Sequence, residues 1–303
     1  MIFSDRYYSI ASSMDYCNLA SGGSNDVTME LLLTVVEYET EGIKGRNFKG
    51  FCSNFLADID VPSEVNLYVK GTEFTLPDYK KAIQAGQTPL EYMKDQSALG
   101  NEPIVMIGAG SGLAPFRGFW QQMLLKSIDP VHHKEVVQKI ETLDYNNEAS
   151  IEQVKNLISK YFVQCVGDHC SKRYSVLFFG CRTQESNLLS KETSLFTAIL
   201  KRHDAFSRAE DMPKEYNYQS MEKQSKAVYD ALVKQGGYIY VCGKIAMADQ
   251  VFKSFVSIVA QNLIKDKELE GNEEKMKLAR QTAEDFVNSL RDNGKYDEDI
   301  FGT

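Results

Sequence analysis

The chain patterns as α/β plus β, with a doubly wound parallel sheet filling the larger second part and an antiparallel barrel before it. Three observations predict this. From residue 104 onward, short apolar runs at 104–107, 175–182 and 238–242 alternate with helical stretches, as parallel strands joined by crossover helices do. Each of these runs passes into glycine, at Gly108, Gly180 and Gly243. Before residue 77, short aromatic and β-branched runs are separated by turns, which suits antiparallel pairing.

Residues 5–13 read as a strand entering a polar loop and 31–38 as a strong strand, because aromatic and β-branched side chains fit a pleated surface. A short helix opens near Gly50, and 66–69 and 73–76 read as two more short strands around Lys70 and Gly71. The stretch 77–101 is polar and carries Gly86, Pro89 and Gly100, so it reads as a connection. It divides the chain into parts 1–97 and 98–303. Residues 104–107 are short and apolar enough for a strand buried on both faces, and 116–125 is an amphipathic helix. Apolar residues recur at helical spacing over 131–143 and 151–162, predicting a helical hairpin inserted on the surface near 127–173. A helix at 188–200, a strand at 204–207 and helices at 221–234, 246–264 and 274–291 follow, and 296–303 is an acidic terminal segment bearing an aromatic ring.

A net charge of −8 and a pI near 5.2 disfavour nonspecific nucleic-acid binding. The first residues lack a basic region followed by an apolar core, and no apolar run approaches the ~18 residues of a membrane span, so the expectation is no membrane contact from this chain. The six cysteines lack the spacing of a secreted disulfide framework and fit a reducing cytoplasm. Cys165, His169 and Cys170 have no second ligand pair nearby, so they read as a loop with free thiols and no metal site is assigned.

The chemistry concentrates at residues 103–117, where Gly108, Gly110 and Gly112 alternate between a buried strand and a helix. Glycine lets the backbone approach a ligand closely, and N–H groups at the helix start favour an anion. Leu113 stands where the dinucleotide fingerprint G-x-G-x-x-G has its last glycine. No Gly-Lys-Ser/Thr follows, which argues against a nucleoside-triphosphate loop, and Ser111 lacks the flanking glycines of a hydrolase elbow. In an open parallel sheet, ligands bind beyond the carboxyl ends of the strands. The Gly108 loop, Cys181 with Arg182 after Gly180, and Cys242 with Gly243 should therefore share one crevice. After the second strand there is no carboxylate to hold ribose hydroxyls; instead Ser207, Arg208, Lys214 and Tyr216 follow the third. A hydroxyl, two cations and an aromatic ring suit a ribose 2′-phosphate, hence NADP rather than NAD.

Together these motifs resemble the ferredoxin-NADP reductase superfamily and, within it, the diflavin reductases: NADPH-haemoprotein (cytochrome) reductase, the nitric-oxide synthase reductase region and the sulfite reductase flavoprotein. The resemblance runs from Arg6 to the C-terminus. Arg6, Tyr8 and Ser9 look like the flavin-binding R-x-Y-S motif, and Gly50, Phe51, Cys52 and Ser53 like the second flavin-pyrophosphate motif. Gly110, Ser111 and Gly112 match the NADP-pyrophosphate loop, and Ser207, Arg208, Lys214 and Tyr216 the 2′-phosphate set. Cys242 matches the cysteine near the nicotinamide. Asp299 and Phe301 match the terminal segment whose aromatic ring covers the flavin, with an ending closer to the synthase branch.

The resemblance implies an incomplete antiparallel FAD-binding barrel over 1–97 and an NADP-binding domain over 98–303. It implies a flavoprotein oxidoreductase passing hydride from NADPH to FAD, with Ser9, Cys242 and Asp299 catalytic. Onward electron transfer would run through FMN, on an upstream or partner FMN-binding domain or flavodoxin-like protein, to a haem protein or other redox acceptor. A single-flavin ferredoxin-NADP-type reductase and a flavin-free NADP-binding or interaction fragment are the alternatives. Two departures stand out: Lys244 replaces the acid of the usual Cys-Gly-Asp, and the chain starts almost at the R-x-Y-S strand, implying that other barrel strands precede it or come from another chain.

Overall fold

The computed structural model describes residues 6–22, 27–40, 45–72, 74–88, 91, 102–163, 174–268 and 271–301. In its first part, strands β1 (Glu37–Glu39) and β2 (Asn47–Lys49) pair antiparallel, with Tyr38 stacked on Phe48 at 4.9 Å. An isolated bridge joins Ile10 to Leu31. The antiparallel direction agrees with the barrel, but the strands are fewer and shorter among the described residues. The strand expected over 31–38 shrinks to its last residues plus that bridge, and 66–69 forms no ladder. Strand propensity reports a half-buried pleated surface. Leu67, Tyr68 and Val69 are each about 60% exposed and have no such surface to join.

Helices interrupt this part. Phe51–Asp58 starts at Gly50 as expected. Met14–Ala20 replaces the polar loop, capped by Ser13, whose hydroxyl accepts the Tyr16 N–H. Pro77–Gln84 replaces the start of the expected connection, with Pro77 in its first turn, where a missing N–H is harmless. The preceding Phe74 lies 5.2 Å from the Tyr240 ring and 5.7 Å from that of Phe119, and the Tyr240 hydroxyl donates to the Thr75 carbonyl at 2.7 Å. Residues 74–84 thus strap the first part onto the second.

The second part is one parallel sheet of β3 (Ile104–Ala109), β4 (Ser175–Cys181), β5 (Lys201–Phe206), β6 (Tyr238–Lys244) and β7 (Tyr296–Phe301), in the order β5-β4-β3-β6-β7. The period of two sorts its residues. Ile104, Met106, Leu177, Phe179 and Tyr240 enter one core, with Phe116 and Trp120; Val105, Ile107, Val176, Phe178 and Val241 enter the other, with Val251 and Phe255. Burial on both faces explains why these strands are continuous apolar runs. The chain winds outward from β3 to β5 and then restarts at β6 on the other side, so the switch point lies between β3 and β6.

Helix Ala114–Ser127 extends the amphipathic stretch at both ends. His133–Glu141 and Glu148–Tyr161 form as expected, and their apolar stripe, Val136, Val137, Ile140, Val154 and Ile158, packs into the first core. The helix expected over 188–200 is only Ser190–Thr193 followed by a 3-10 turn. That over 221–234 is divided into Asn217–Lys223, Ser225–Tyr229 and a π turn, Asp230–Lys234. Ile245–Asp266 and Glu273–Asp292 complete the second face. The acidic terminal segment is a strand, β7. Its charges are matched from outside: Asp297 pairs with Lys80, and Glu298 accepts from Arg291 at 2.8 Å.

Cys165, His169 and Cys170 lie outside the described residues. Among the described residues no three His, Cys, Asp or Glu side chains are placed to hold a metal ion, and no helix is long and apolar enough to cross a membrane.

Candidate functional site

The glycine loop sits at the switch point. β3 ends in a 3-10 turn, Gly110–Leu113, that feeds helix Ala114–Ser127. Gly112 has no room for a side chain: a Cβ there would stand 2.2 Å from the Cys242 carbonyl oxygen. Gly110 has the left-handed φ of 56°, and nothing lies within 4 Å of where its Cβ would be. One glycine therefore clamps the turn onto β6 and the other leaves it open outward. Ser111 is half-buried between them. Open backbone at a helix start is the environment an anionic pyrophosphate needs.

Cys242 lies beside this clamp, opposite Gly108 on β3 and Asp299 on β7. Its Sγ is 3.9 Å from Asp299 Oδ2, and the same oxygen accepts the Ser9 hydroxyl at 2.5 Å. Burial, and then the Asp299 charge, push the Cys242 thiol well above its ordinary range, so it is a neutral group. Three residues far apart in sequence thus meet at one corner of the sheet.

Ser9 is held there by the next residues. Arg117 Nη1 donates to the Ala11 carbonyl at 3.0 Å and pairs with Glu30, while its Nε donates to Glu192 at 3.0 Å. The Ser13 N–H donates to Gln121 at 2.8 Å and its hydroxyl to Gln122 at 2.6 Å. Gly118 permits this approach, since a Cβ would lie 3.1 Å from the Ser12 carbonyl. Arg117 and Glu192 are both largely buried, and removing one partner of such a pair costs about 3–5 kcal/mol.

The flavin-motif residues gather in front of this seam. Burial, with the Cys52 thiol against it, pushes the Tyr8 hydroxyl up to about 12, while the Arg6 charge acts in the opposite sense. This joins the R-x-Y-S stretch to the turn before helix Phe51–Asp58. Gly50 N–H donates to the Val36 carbonyl at 2.7 Å, and buried Ser53 accepts the Val36 N–H at 3.1 Å. Phe51 is exposed, as is Tyr7 beside Arg6. Phe301, opposite Lys244 at the end of β7, is partly exposed.

On the other side of the crevice, Cys181 ends β4 and Arg182 follows it, and Ser207 and Arg208 follow β5. The two segments are tied: the Ser207 N–H donates to Cys181 O at 3.0 Å and the Arg208 N–H to Arg182 O at 2.8 Å. Arg182, Arg208 and Lys214 are exposed, and Lys214 Nζ lies 5.0 Å from the centroid of the Tyr216 ring. The Cys181 thiol is raised by burial to about 11, which makes it inert at neutral pH. Lys244 is exposed at the start of helix Ile245–Asp266.

Asn217 and Met247 were not singled out by the sequence. Both stand inside this arrangement, and an asparagine following Tyr216 at a helix start was the only signal available.

Residues 151–253 match the family of the oxidoreductase NAD-binding domain, a span that includes β4, β5, β6 and the loops after them. The chain is 28% identical to a nitric oxide synthase of Anopheles stephensi over 300 residues, covering 98% of this chain and 18% of that protein. It is 29% identical to the nitric oxide synthase of Drosophila melanogaster over 304 residues, covering 98% and 16%. With the inducible nitric oxide synthase of Mus musculus the identity is 27% over 308 residues, covering 99% and 20%. The chain spans a fifth or less of the length of these relatives. The chain is thus similar to nitric oxide synthases along nearly all of its length.

Proposed function

We propose that the chain is the NADPH-oxidising, FAD-binding end of a diflavin reductase. The observation that carries this reading is the convergence of Ser9, Cys242 and Asp299 beside the Gly110–Leu113 turn. FAD, when bound, supplies the two-electron acceptor and releases electrons singly. Arg6, Tyr8, Ser9, Gly50, Phe51, Cys52, Ser53 and Phe301 are the residues that would hold it. Gly110, Ser111 and Gly112 would cradle the NADPH pyrophosphate, and Ser207, Arg208, Lys214 and Tyr216 its 2′-phosphate, with Cys181 and Arg182 at the adenosine side.

The corner chemistry suits hydride departure from a nicotinamide. Positive charge develops on that ring as the hydride leaves, and Asp299 is the charge placed to meet it. Ser9 orients the carboxylate through its hydrogen bond and presents its hydroxyl to the reacting edge. Cys242, held neutral, packs against the ring without competing for the charge. Phe301, exposed at the end of β7, would cover the flavin ring. The split at residues 97 and 98, an FMN domain and a haem acceptor belong to the same proposal and rest on the motif resemblance alone.

The test is to add FAD to the purified chain, remove the excess and record the visible spectrum. Flavin bands near stoichiometry that bleach with NADPH, and far more slowly with NADH, are expected. A folded, colourless protein that still binds NADP⁺ would overturn the flavin half of the proposal and leave an NADP-binding module.

A further inference from the structure

The Asn217 side chain is 3% exposed and makes every hydrogen bond it can reach with groups that matter to the crevice. Its Nδ2 donates to the Gly108 carbonyl at 3.0 Å and to Met247 Sδ at 3.1 Å, while its Oδ1 accepts the Tyr218 N–H at 2.9 Å. The amide orientation is forced, because a carbonyl only accepts and a backbone N–H only donates. Gly108 lies two residues before Gly110. Met247 packs on Gly243, where a Cβ would stand 2.8 Å from its terminal methyl. Asn217 also touches β4, its Cβ and Cγ lying 3.5 Å from where Gly180 would carry a Cβ. Its own backbone continues directly from Tyr216. One buried amide therefore connects the loop of Lys214 and Tyr216 to the ends of β3, β4 and β6.

We infer that Asn217 is a positioning residue that fixes the distance between the 2′-phosphate loop and the pyrophosphate cradle, and so sets the preference for a 2′-phosphorylated dinucleotide. The inference rests on the NADPH reading above and deepens it. A ligand that spans two anion sites gains from their fixed separation, because binding at the first raises the effective concentration at the second. A loop anchored only through exposed residues would drift, and that gain would shrink. No contact between Asn217 and the ligand is required.

The experiment uses the full chain and calorimetric titration with three probes: 2′-AMP, which reaches one site, ADP, which reaches the other, and 2′,5′-ADP, which spans both. Two variants are compared. Asn217→Leu keeps the shape and removes the bonds, and Asn217→Asp keeps the acceptor for Tyr218 but sets an oxygen against the Gly108 carbonyl. The expected result is 2′,5′-ADP affinity about tenfold weaker in both, with 2′-AMP and ADP changed less than about twofold. Unchanged 2′,5′-ADP binding, or parallel loss for all three probes in a variant that remains folded by circular dichroism, overturns the inference. If the parent chain binds none of the probes, the NADPH reading itself fails; that outcome is separate and is seen before any variant is made.

Discussion

The Ser9 hydroxyl donates a 2.5 Å hydrogen bond to the Asp299 carboxylate, joining the first described segment to the last strand across 290 residues. The same oxygen faces Cys242 Sγ at 3.9 Å, so a single carboxylate is shared by the two parts of the chain.

If that carboxylate meets the charge of the departing hydride, Ser9→Ala and Asp299→Asn slow NADPH-dependent flavin reduction by about 10²-fold, on the scale of losing one preorganised electrostatic group. NADP⁺ affinity should stay within about twofold, because the loss falls on the transition state. Stopped-flow absorbance and equilibrium titration separate the two. A weakened affinity with an unchanged rate would assign Asp299 to binding.

The glycine turn offers a contrast between neighbours. Gly112→Ala places a methyl 2.2 Å from the Cys242 carbonyl oxygen, a clash with fixed backbone that must move the turn off β6. It should destabilise the chain by about 1–3 kcal/mol and abolish tight NADP⁺ binding. Gly110→Ala meets only the strain of φ 56° in open space, about 1 kcal/mol, with weaker binding but no shift of β6. Denaturant melts with NADP⁺ titration test the order.

Lys80 anchors the strap to the sheet. It pairs with Asp297 on β7, donates to the Gly294 carbonyl at 3.0 Å and lies 5.5 Å from the Tyr240 ring, with its side chain only 12% exposed. Lys80→Met leaves Asp297 without this cation and should cost about 3 kcal/mol, most of it recovered in Lys80→Met with Asp297→Leu. A single variant that melts like the parent would show that Lys80 does not hold the strap.

Alkaline stability follows from the buried acids. Burial pushes the Cys242 thiol above its ordinary 9.0 and the Tyr16 and Tyr296 hydroxyls above their ordinary 10.0. The folded chain keeps protons that the unfolded chain gives up, so these contributions are intact below about pH 9 and are lost as pH rises toward the raised folded values. Urea midpoints should fall between about pH 8 and about pH 10.5, and Cys242→Ala should lessen the fall. A parent midpoint independent of pH over that range contradicts this.

The three central strands, β3, β4 and β6, were readable because burial on both faces leaves an unbroken apolar run passing into glycine. The N-terminal strands were not: residues 66–69 have strand composition but no ladder, because pairing depends on what lies beside them. For the helices within 127–173 the apolar stripe was legible in the sequence, and the tertiary structure decided that it packs into the first core.

Sequence alone indicated a doubly wound sheet and where its glycine turn falls. Tertiary structure decided that the acidic terminus is a strand, that Asp299 stands opposite Cys242, and that Asn217 ties three strand ends together. Tyr296 is buried and the charges after it are neutralised by Lys80 and Arg291, which are remote in sequence or on another element. Local patterning sets which residues turn inward; only closure of the sheet determines which of them meet.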